Sequence, residues 1–156
     1  LPCATHSRGR REAVSGVSMR FSVRRHGGVT WLADMYNANP SSMEVSVCEL
    51  LRFCHDGKRP VAVLGDMLEL GDRAVELHED LGRQLARRGV RLFIGVGPLM
   101  KAAVTAFGDG ASAADDAVRA ADLLRQLLMP EDVVLIKGSR GMRMERVSEA
   151  FGVSLT

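Results

Sequence analysis

The sequence has little that would tie the protein to a membrane or to nucleic acid. It contains no apolar run of about 18 residues, the length that a membrane-spanning helix needs, and no signal-peptide pattern at Leu1. Its formal net charge is only +2, and the arginines before residue 26 are scattered, with no stacking aromatic residues among them. We therefore interpret those arginines as solvated surface and expect a cytoplasmic protein that binds neither membrane nor nucleic acid.

Cysteine is scarce, with three residues and no Cys-x-x-Cys pair. An odd number without paired spacing suits a reducing compartment and is not typical of a disulfide framework or a zinc site. Cys48 and Cys54 fall in one predicted helix, where each is expected to be a small apolar residue.

The phosphate-binding loop G-x-x-x-x-G-K-[ST] is also missing. Gly57-Lys58 is followed by Arg59, and Arg52 stands where the first glycine is needed. Gly95-Val96-Gly97 does not extend into a dinucleotide fingerprint, because Met100 replaces the third glycine. The chain therefore has no phosphate-cradling loop of either class.

What is present is an ordinary globular composition, with 156 residues of which 46% are apolar and 26% charged. Residues 1–16 lack periodicity and are interpreted as a linker or the tail of an upstream domain, and 17–156 as one domain. Val17–Arg25 and Val29–Tyr36 predict a β-hairpin around His26-Gly27-Gly28. Later segments alternate between strands and helices, which predicts an α/β fold whose open, mostly parallel sheet has helices on both faces. The later predicted strands are Pro60–Leu64, Arg91–Val96 and Asp132–Ile136, and the predicted helices are 43–54, 73–88, 98–107, 113–128 and 142–151.

Four polar clusters each follow a predicted strand, and ligands of such sheets bind at the carboxyl ends of the strands. We therefore expect one composite site. The clusters are Tyr36-Asn37-Ala38-Asn39-Pro40, Gly65-Asp66-Met67-Leu68-Glu69-Leu70-Gly71, Gly95-Val96-Gly97 and Lys137-Gly138-Ser139-Arg140-Gly141.

The last cluster has the chemistry of an anion site. Lys137 and Arg140 flank a loop with accessible backbone N–H groups, and a helix starting near Met142 would add positive potential. Arg140 can hold a carboxylate or phosphate bidentately while Lys137 acts as a point charge. For the loop alone, a surface turn with two solvated bases is the slightly favoured interpretation.

The other polar residues leave two interpretations each. Asp34 can accept hydrogen bonds from ligand hydroxyls or cap the following turn, and Asn37 and Asn39 are plausible turn formers. Asp66 and Glu69 can bind an ammonium group or a metal, but two acids alone are weak evidence. His78 lies within a helical pattern, which favours a structural role.

Taken in order, these strings resemble the C-terminal domain of the Mur ligases, and most specifically of the branch that adds D-alanyl-D-alanine. The resemblance covers 17–151 and rests on Asp34-Met35-Tyr36-Asn37-Ala38-Asn39-Pro40, Leu64-Gly65-Asp66-Met67-Leu68-Glu69-Leu70-Gly71 and Lys137-Gly138-Ser139-Arg140. It implies a Rossmann-like domain of a three-domain enzyme of peptidoglycan synthesis. The missing N-terminal and central domains would hold UDP-N-acetylmuramoyl-tripeptide and the ATP and Mg²⁺ sites, respectively. The tripeptide carboxylate would become an acyl phosphate that D-alanyl-D-alanine attacks, and this fragment alone would be inactive.

The resemblance also implies residue roles. Arg20 would reach the phosphates of the nucleotide, and Asp34 would hold the ribose hydroxyls beside a loop formed by Tyr36, Asn37 and Asn39. The dipeptide would be bound by Lys137, Ser139 and Arg140, with Asp66 as a weaker candidate.

Two alternatives remain at this stage. One is the C-terminal domain of another Mur ligase or of a folylpolyglutamate-synthase-type enzyme, against which the Asn37–Pro40 string argues. The other is a stand-alone module that binds an anion or a nucleotide without catalysis.

Overall fold

The computed structural model describes residues 21–155, and these contain one six-stranded sheet in the order β1-β2-β6-β3-β4-β5. β1 and β2 form an antiparallel hairpin, whereas all other neighbouring strands are parallel. The strands are β1 (Ser22–His26), β2 (Val29–Asp34), β3 (Pro60–Gly65), β4 (Leu92–Val96), β5 (Ala111–Ala114) and β6 (Val133–Lys137). The predicted fold class is confirmed. Val17–Arg20 of the predicted first strand, Arg20 as a candidate site residue and the proposed 1–16 linker lie outside the described residues.

Helices cover both faces of the sheet. They are α1 (Pro40–Phe53), α2 (Ala74–Arg87), α3 (Met100–Phe107), α4 (Ala117–Leu127) and α5 (Glu145–Glu149), with 3₁₀ turns at Gly71–Arg73 and Arg140–Met142. The first three helices share one buried apolar cluster with the sheet, and α4 and α5 share the other. No helix in the 21–155 range has the length and apolarity needed to cross a membrane.

The hairpin turn follows from its two glycines. Gly27 and Gly28 both have positive φ values, 59° and 77°. A two-residue turn with positive φ at both positions matches the twist of the flanking strands, and glycine adopts that conformation without steric cost. The hairpin expected from His26-Gly27-Gly28 is thus confirmed.

Two predicted helices were wrong in extent. The segment predicted as a helix from Ala113 begins as the edge strand β5, and α4 starts only after Asp116, whose carboxylate accepts from the Arg119 backbone N–H at 2.8 Å. The last helix was predicted over 142–151 but has five residues, preceded by Arg143 with a φ of 49°. The left-handed conformation of Arg143 separates the 3₁₀ turn from α5. The long helix that was predicted to start near Met142 and to direct its N-terminus at the Lys137–Gly141 loop is therefore not formed.

An ion pair fixes the amino edge of the sheet. Arg59 donates to both carboxylate oxygens of Asp132, at 2.8 and 2.6 Å, and also to the Leu127 carbonyl at 2.7 Å. Asp132 is buried, and its hydrogen bond raises the pKa of the Arg59 guanidinium above its ordinary value. The pair therefore joins the segments that enter β3 and β6.

Of Cys48 and Cys54, one differs from the expectation of an unpaired thiol. Cys54 is a free, half-buried thiol, as expected, but Cys48 is disulfide-bonded, so the expectation is wrong there. Burial raises the pKa of the Cys54 thiol to about 11.

We expect native Cys54 to react with iodoacetamide at pH 8 about 100-fold more slowly than an ordinary thiol with a pKa near 8.5, because only the thiolate attacks. The rate should keep rising with pH until about 11, where the thiolate becomes the main form. Mass spectrometry of the Cys54 peptide measures the rate of alkylation, with the urea-denatured chain as control. Equal native and denatured rates would contradict the prediction.

Candidate functional site

The four polar clusters meet at one edge of the sheet, as predicted. The parallel register places Asp34 of β2 beside Lys137 of β6, Leu64 of β3 beside the same lysine, and Gly65 beside Val96 of β4. The loops that follow these strands therefore leave the sheet side by side. This geometry makes the carboxyl edge the candidate site.

Asp34 and Lys137 form a buried ion pair. The Lys137 Nζ atom lies 2.6 Å from Asp34 Oδ2 and 2.7 Å from the Asn37 carbonyl oxygen. Ser46 of α1 donates its hydroxyl to the same Asp34 oxygen at 3.2 Å. Lys137 has no exposed surface and Asp34 is 5% exposed. Asp34 and Lys137, both predicted site residues, therefore lie at the candidate site, but their charged groups bind each other.

The loop after β2 is shaped by its own side chains. The Asn37 carboxamide oxygen accepts from the Ala38 N–H at 2.8 Å. Asn39 caps α1, accepting from the Ser42 N–H at 2.8 Å, while the Ser42 hydroxyl accepts from the Asn39 N–H at 3.0 Å. The cap is Asn39, and Pro40 fits the first helical position because its missing N–H would have no helical partner.

Asp66 supports α3. Its carboxylate accepts from the backbone N–H groups of Met100 at 2.8 Å and Leu99 at 3.3 Å, where the unsatisfied N–H groups of a helix start favour an anion. Asp66 is buried, and its carbonyl oxygen accepts from the Ser139 N–H at 3.2 Å. The side chain therefore serves the fold.

His78 also has a structural role, as the helical pattern predicted. It is fully buried, and one ring nitrogen, Nε2, accepts from the Met67 N–H at 3.1 Å. The other, Nδ1, donates to the Ala74 carbonyl at 2.6 Å, which fixes the neutral tautomer. These two bonds tie the loop after β3 to α2. Glu69 of the same loop is exposed.

An open cleft of about 560 Å³ lies beside this edge, on the face that carries α5. Arg140 and Arg143 supply two exposed cations, Glu145 supplies a carboxylate, and the exposed ring of Tyr36 lies at the cleft. The lining residues are Ser22, Ala33, Met35, Tyr36, Ser139, Arg140, Arg143, Met144, Glu145 and Leu155. Charges of both signs over apolar walls suit a small zwitterionic ligand.

Ser139 connects the cleft to the loop after β3. Its hydroxyl oxygen accepts from the Leu68 N–H at 3.0 Å, which leaves the hydroxyl hydrogen available to a ligand. Of the sequence candidates, Tyr36, Ser139 and Arg140 line the cleft, whereas the other described ones lie outside its lining. Arg143 and Glu145 were missed, although they directly continue the Lys137–Arg140 string.

A metal centre gains no support from the acidic candidates. No cluster of three or more histidine, cysteine, aspartate or glutamate side chains occurs within 21–155. Asp66 instead accepts hydrogen bonds at the start of α3, and Glu69 is exposed.

Comparison with known proteins gives a consistent result. The sequence model of the family described as "Mur ligase, glutamate ligase domain" matches residues 19–140. The UDP-N-acetylmuramoyl-tripeptide–D-alanyl-D-alanine ligase of Mycobacterium tuberculosis (strain H37Rv) is 37% identical over 84% of this chain and 30% of its own length. The enzyme of the same name from Bacillus subtilis is 27% identical over 86% of this chain and 30% of its own length.

Solved structures agree in fold. The MurF ligase from Thermotoga maritima in complex with ADP superposes with a TM-score of 0.73 at 34% identity, covering 89% of this chain and 31% of that one. MurF from Acinetobacter baumannii gives 0.75 at 32% identity, covering 86% and 30%. The chain thus spans about 30% of the length of the relatives it matches.

Proposed function

The chain belongs to the Mur ligase family through its glutamate ligase domain, and from this premise we propose that it is the C-terminal domain of an ATP-dependent UDP-N-acetylmuramoyl-tripeptide–D-alanyl-D-alanine ligase. The relatives at 37% identity that carry this name support the proposal. The enzyme would act in the cytoplasm on precursors of peptidoglycan.

In the proposed reaction, the γ-phosphoryl group of ATP is transferred to the tripeptide carboxylate, which gives an acyl phosphate and ADP. The amine of D-alanyl-D-alanine then attacks the acyl carbon and forms the amide, with release of inorganic phosphate and a proton. As the family resemblance implies, the phosphate-binding loop and the Mg²⁺ site would lie in a central domain of the enzyme. The chain alone therefore has no ligase activity on this proposal. Its contribution is to align amine and acyl phosphate, which can lower a barrier by about 7–11 kcal/mol, and to exclude water that would hydrolyse the intermediate.

The cleft is the observation that carries the proposal. Arg140 is exposed at its wall and can bind the dipeptide carboxylate through two parallel N–H donors, and the Ser139 hydroxyl can add a third donor. The volume of about 560 Å³ accommodates a small dipeptide. Arg143 strengthens the positive potential, while Glu145 can face the amino end of the ligand.

The nucleotide would bind at the same edge of the sheet, beside the loop that follows β2. Asp34 would accept from the ribose hydroxyls, with Tyr36, Asn37 and Asn39 forming the adjoining loop. Arg20, for which a phosphate contact is proposed, lies outside the described residues.

Direct contact with the dipeptide was also predicted for Lys137 and Asp66. Both side chains are buried, and each already has two internal partners in the structure. A ligand would have to displace those partners at an energetic cost. We therefore centre the dipeptide site on Ser139 and Arg140.

We expect Arg140→Ala to raise the dissociation constant of D-alanyl-D-alanine at least about tenfold, because a hydrogen bond to a charged group contributes about 1.5–3 kcal/mol. NMR titration of the ¹⁵N-labelled chain measures this even when binding is weak. Arg119→Ala is the matched control, since Arg119 is also exposed but lies on α4 and does not line the cleft.

Two outcomes would argue against the proposal. Unchanged dipeptide affinity in Arg140→Ala would remove Arg140 from the site. Absence of any dipeptide-induced shift around the cleft in the wild-type chain would instead contradict the placement of the dipeptide there.

A further inference from the structure

Three buried side chains from three elements form one network at the carboxyl edge. Asp34 ends β2, Lys137 ends β6 and Ser46 lies in the middle of α1. Asp34 Oδ2 accepts from both others, at 2.6 Å from the Lys137 ammonium and at 3.2 Å from the Ser46 hydroxyl. One oxygen of the carboxylate is therefore held by two donors fixed in the scaffold.

The other carboxylate oxygen of Asp34, Oδ1, has no such donors among the described residues. No hydrogen bond from the residues described, 21–155, reaches Oδ1, and within that range every buried side-chain oxygen and nitrogen has a partner. Oδ1 must therefore reach solvent, consistent with the 7% exposure of the side chain. A carboxylate held on one side presents its second oxygen as a fixed acceptor.

Lys137 fixes more than the carboxylate. Its ammonium also donates to the Asn37 carbonyl at 2.7 Å, so the same group holds the backbone of the loop that follows β2. The Lys137 side chain has no exposed surface through which a ligand could approach it. Two of its three donors are thus committed to the Asp34–Asn37 segment.

We propose that Lys137 and Ser46 are positioning residues, which hold Oδ2 of Asp34 so that Oδ1 is presented to the vicinal diol of a nucleotide's ribose. This inference rests on the nucleotide side of the proposed function. It gives Lys137 a role different from direct contact with the dipeptide carboxylate. Without the two donors, the carboxylate can rotate and its oxygens lose their fixed direction, so a diol must order them on binding.

The test compares ADP with 2′,3′-dideoxy-ADP, which lacks both ribose hydroxyls, as ligands of the ¹⁵N-labelled chain in NMR titrations. The wild-type chain should bind ADP about tenfold more tightly, the size expected for hydrogen bonds to a fixed carboxylate. Ser46→Ala and Lys137→Met should each reduce that preference to about threefold or less. The dissociation constant of D-alanyl-D-alanine should stay within about twofold of wild type in both variants.

Two variants are needed because loss of Lys137 leaves a buried carboxylate unpaired and can unfold the chain. Ser46→Ala retains the ion pair, so this variant should fold, as its NMR spectrum will show. Ser148→Ala is the matched control: this buried serine donates to the Glu145 carbonyl on α5 and has no bond to Asp34. It should keep the full preference for ADP.

The outcomes separate this inference from the function it rests on. An undiminished diol preference in Ser46→Ala, or in folded Lys137→Met, would overturn the positioning role alone. Weaker dipeptide binding in Lys137→Met with an intact diol preference would instead support direct contact with the dipeptide. A wild-type chain with no diol preference, or no ADP binding, would overturn both the ribose role of Asp34 and this inference.

Discussion

Replacing Lys137 with methionine is expected to lower the free energy of unfolding by about 3–5 kcal/mol, the usual cost of breaking a buried pair on one side. The methionine fills most of the volume, but the Asp34 carboxyl group, at 5% exposure, loses its 2.6 Å partner. The Asn37 carbonyl also loses a donor. Urea denaturation followed by circular dichroism measures the change as a shift of the midpoint.

The cause of that loss can be isolated with a second variant. Asp34→Asn combined with Lys137→Met removes both charges, so it should recover much of the stability lost in the single variant. Lys101→Met is the matched control, because the 3.5 Å pair of Lys101 with Asp115 is exposed and should contribute little. A single variant as stable as wild type would show that the buried pair does not stabilise the fold.

Gly82→Ala is expected to destabilise the chain by about 1–3 kcal/mol or more, although alanine is the better helix former by about 1 kcal/mol. A Cβ atom on Gly82 would lie 2.1 Å from the Ala103 carbonyl oxygen and 2.9 Å from its Cα. Both atoms belong to the backbone of α3, so no side-chain rotation relieves the clash. The helices α2 and α3 would have to separate.

Thermal unfolding of Gly82→Ala and wild type tests this expectation. Val75→Ala serves as the control, since Val75 is exposed on the first turn of α2 and alanine there should cost nothing. A midpoint for Gly82→Ala at or above that of wild type would mean that the close approach of the two helices is not required.

Short-range patterns were sufficient for most of the fold. The apolar run Pro60–Leu64 predicted a strand, and β3 is that strand. All its residues are buried, because helices cover the sheet on both sides. The paired glycines predicted the hairpin. Local patterns did not resolve β5, whose Ala-Ser-Ala-Ala sequence is compatible with a helix and becomes a strand by pairing with β4.

For the candidate site, too, local patterns identified the residues but not the contacts between them. Lys137, Ser139 and Arg140 were identified from their place after a predicted strand, and Asp34 from its place near the end of one. All four lie at the predicted edge. Their relations were not predictable, because Asp34 and Lys137 are 103 residues apart and meet only through the parallel register of β2 and β6. The pairing leaves Arg140 at the cleft and Lys137 beneath the surface.

The sequence by itself determined the α/β class, the family resemblance and the edge of the sheet at which polar residues gather, since these depend on local periodicity and on strings of neighbouring residues. Only the tertiary structure decided which polar groups have internal partners. Asp66 caps α3 and Lys137 pairs with Asp34, whereas Arg140 remains exposed. A side chain's availability to a ligand depends on its neighbours in space, and residues distant in the chain supply those neighbours.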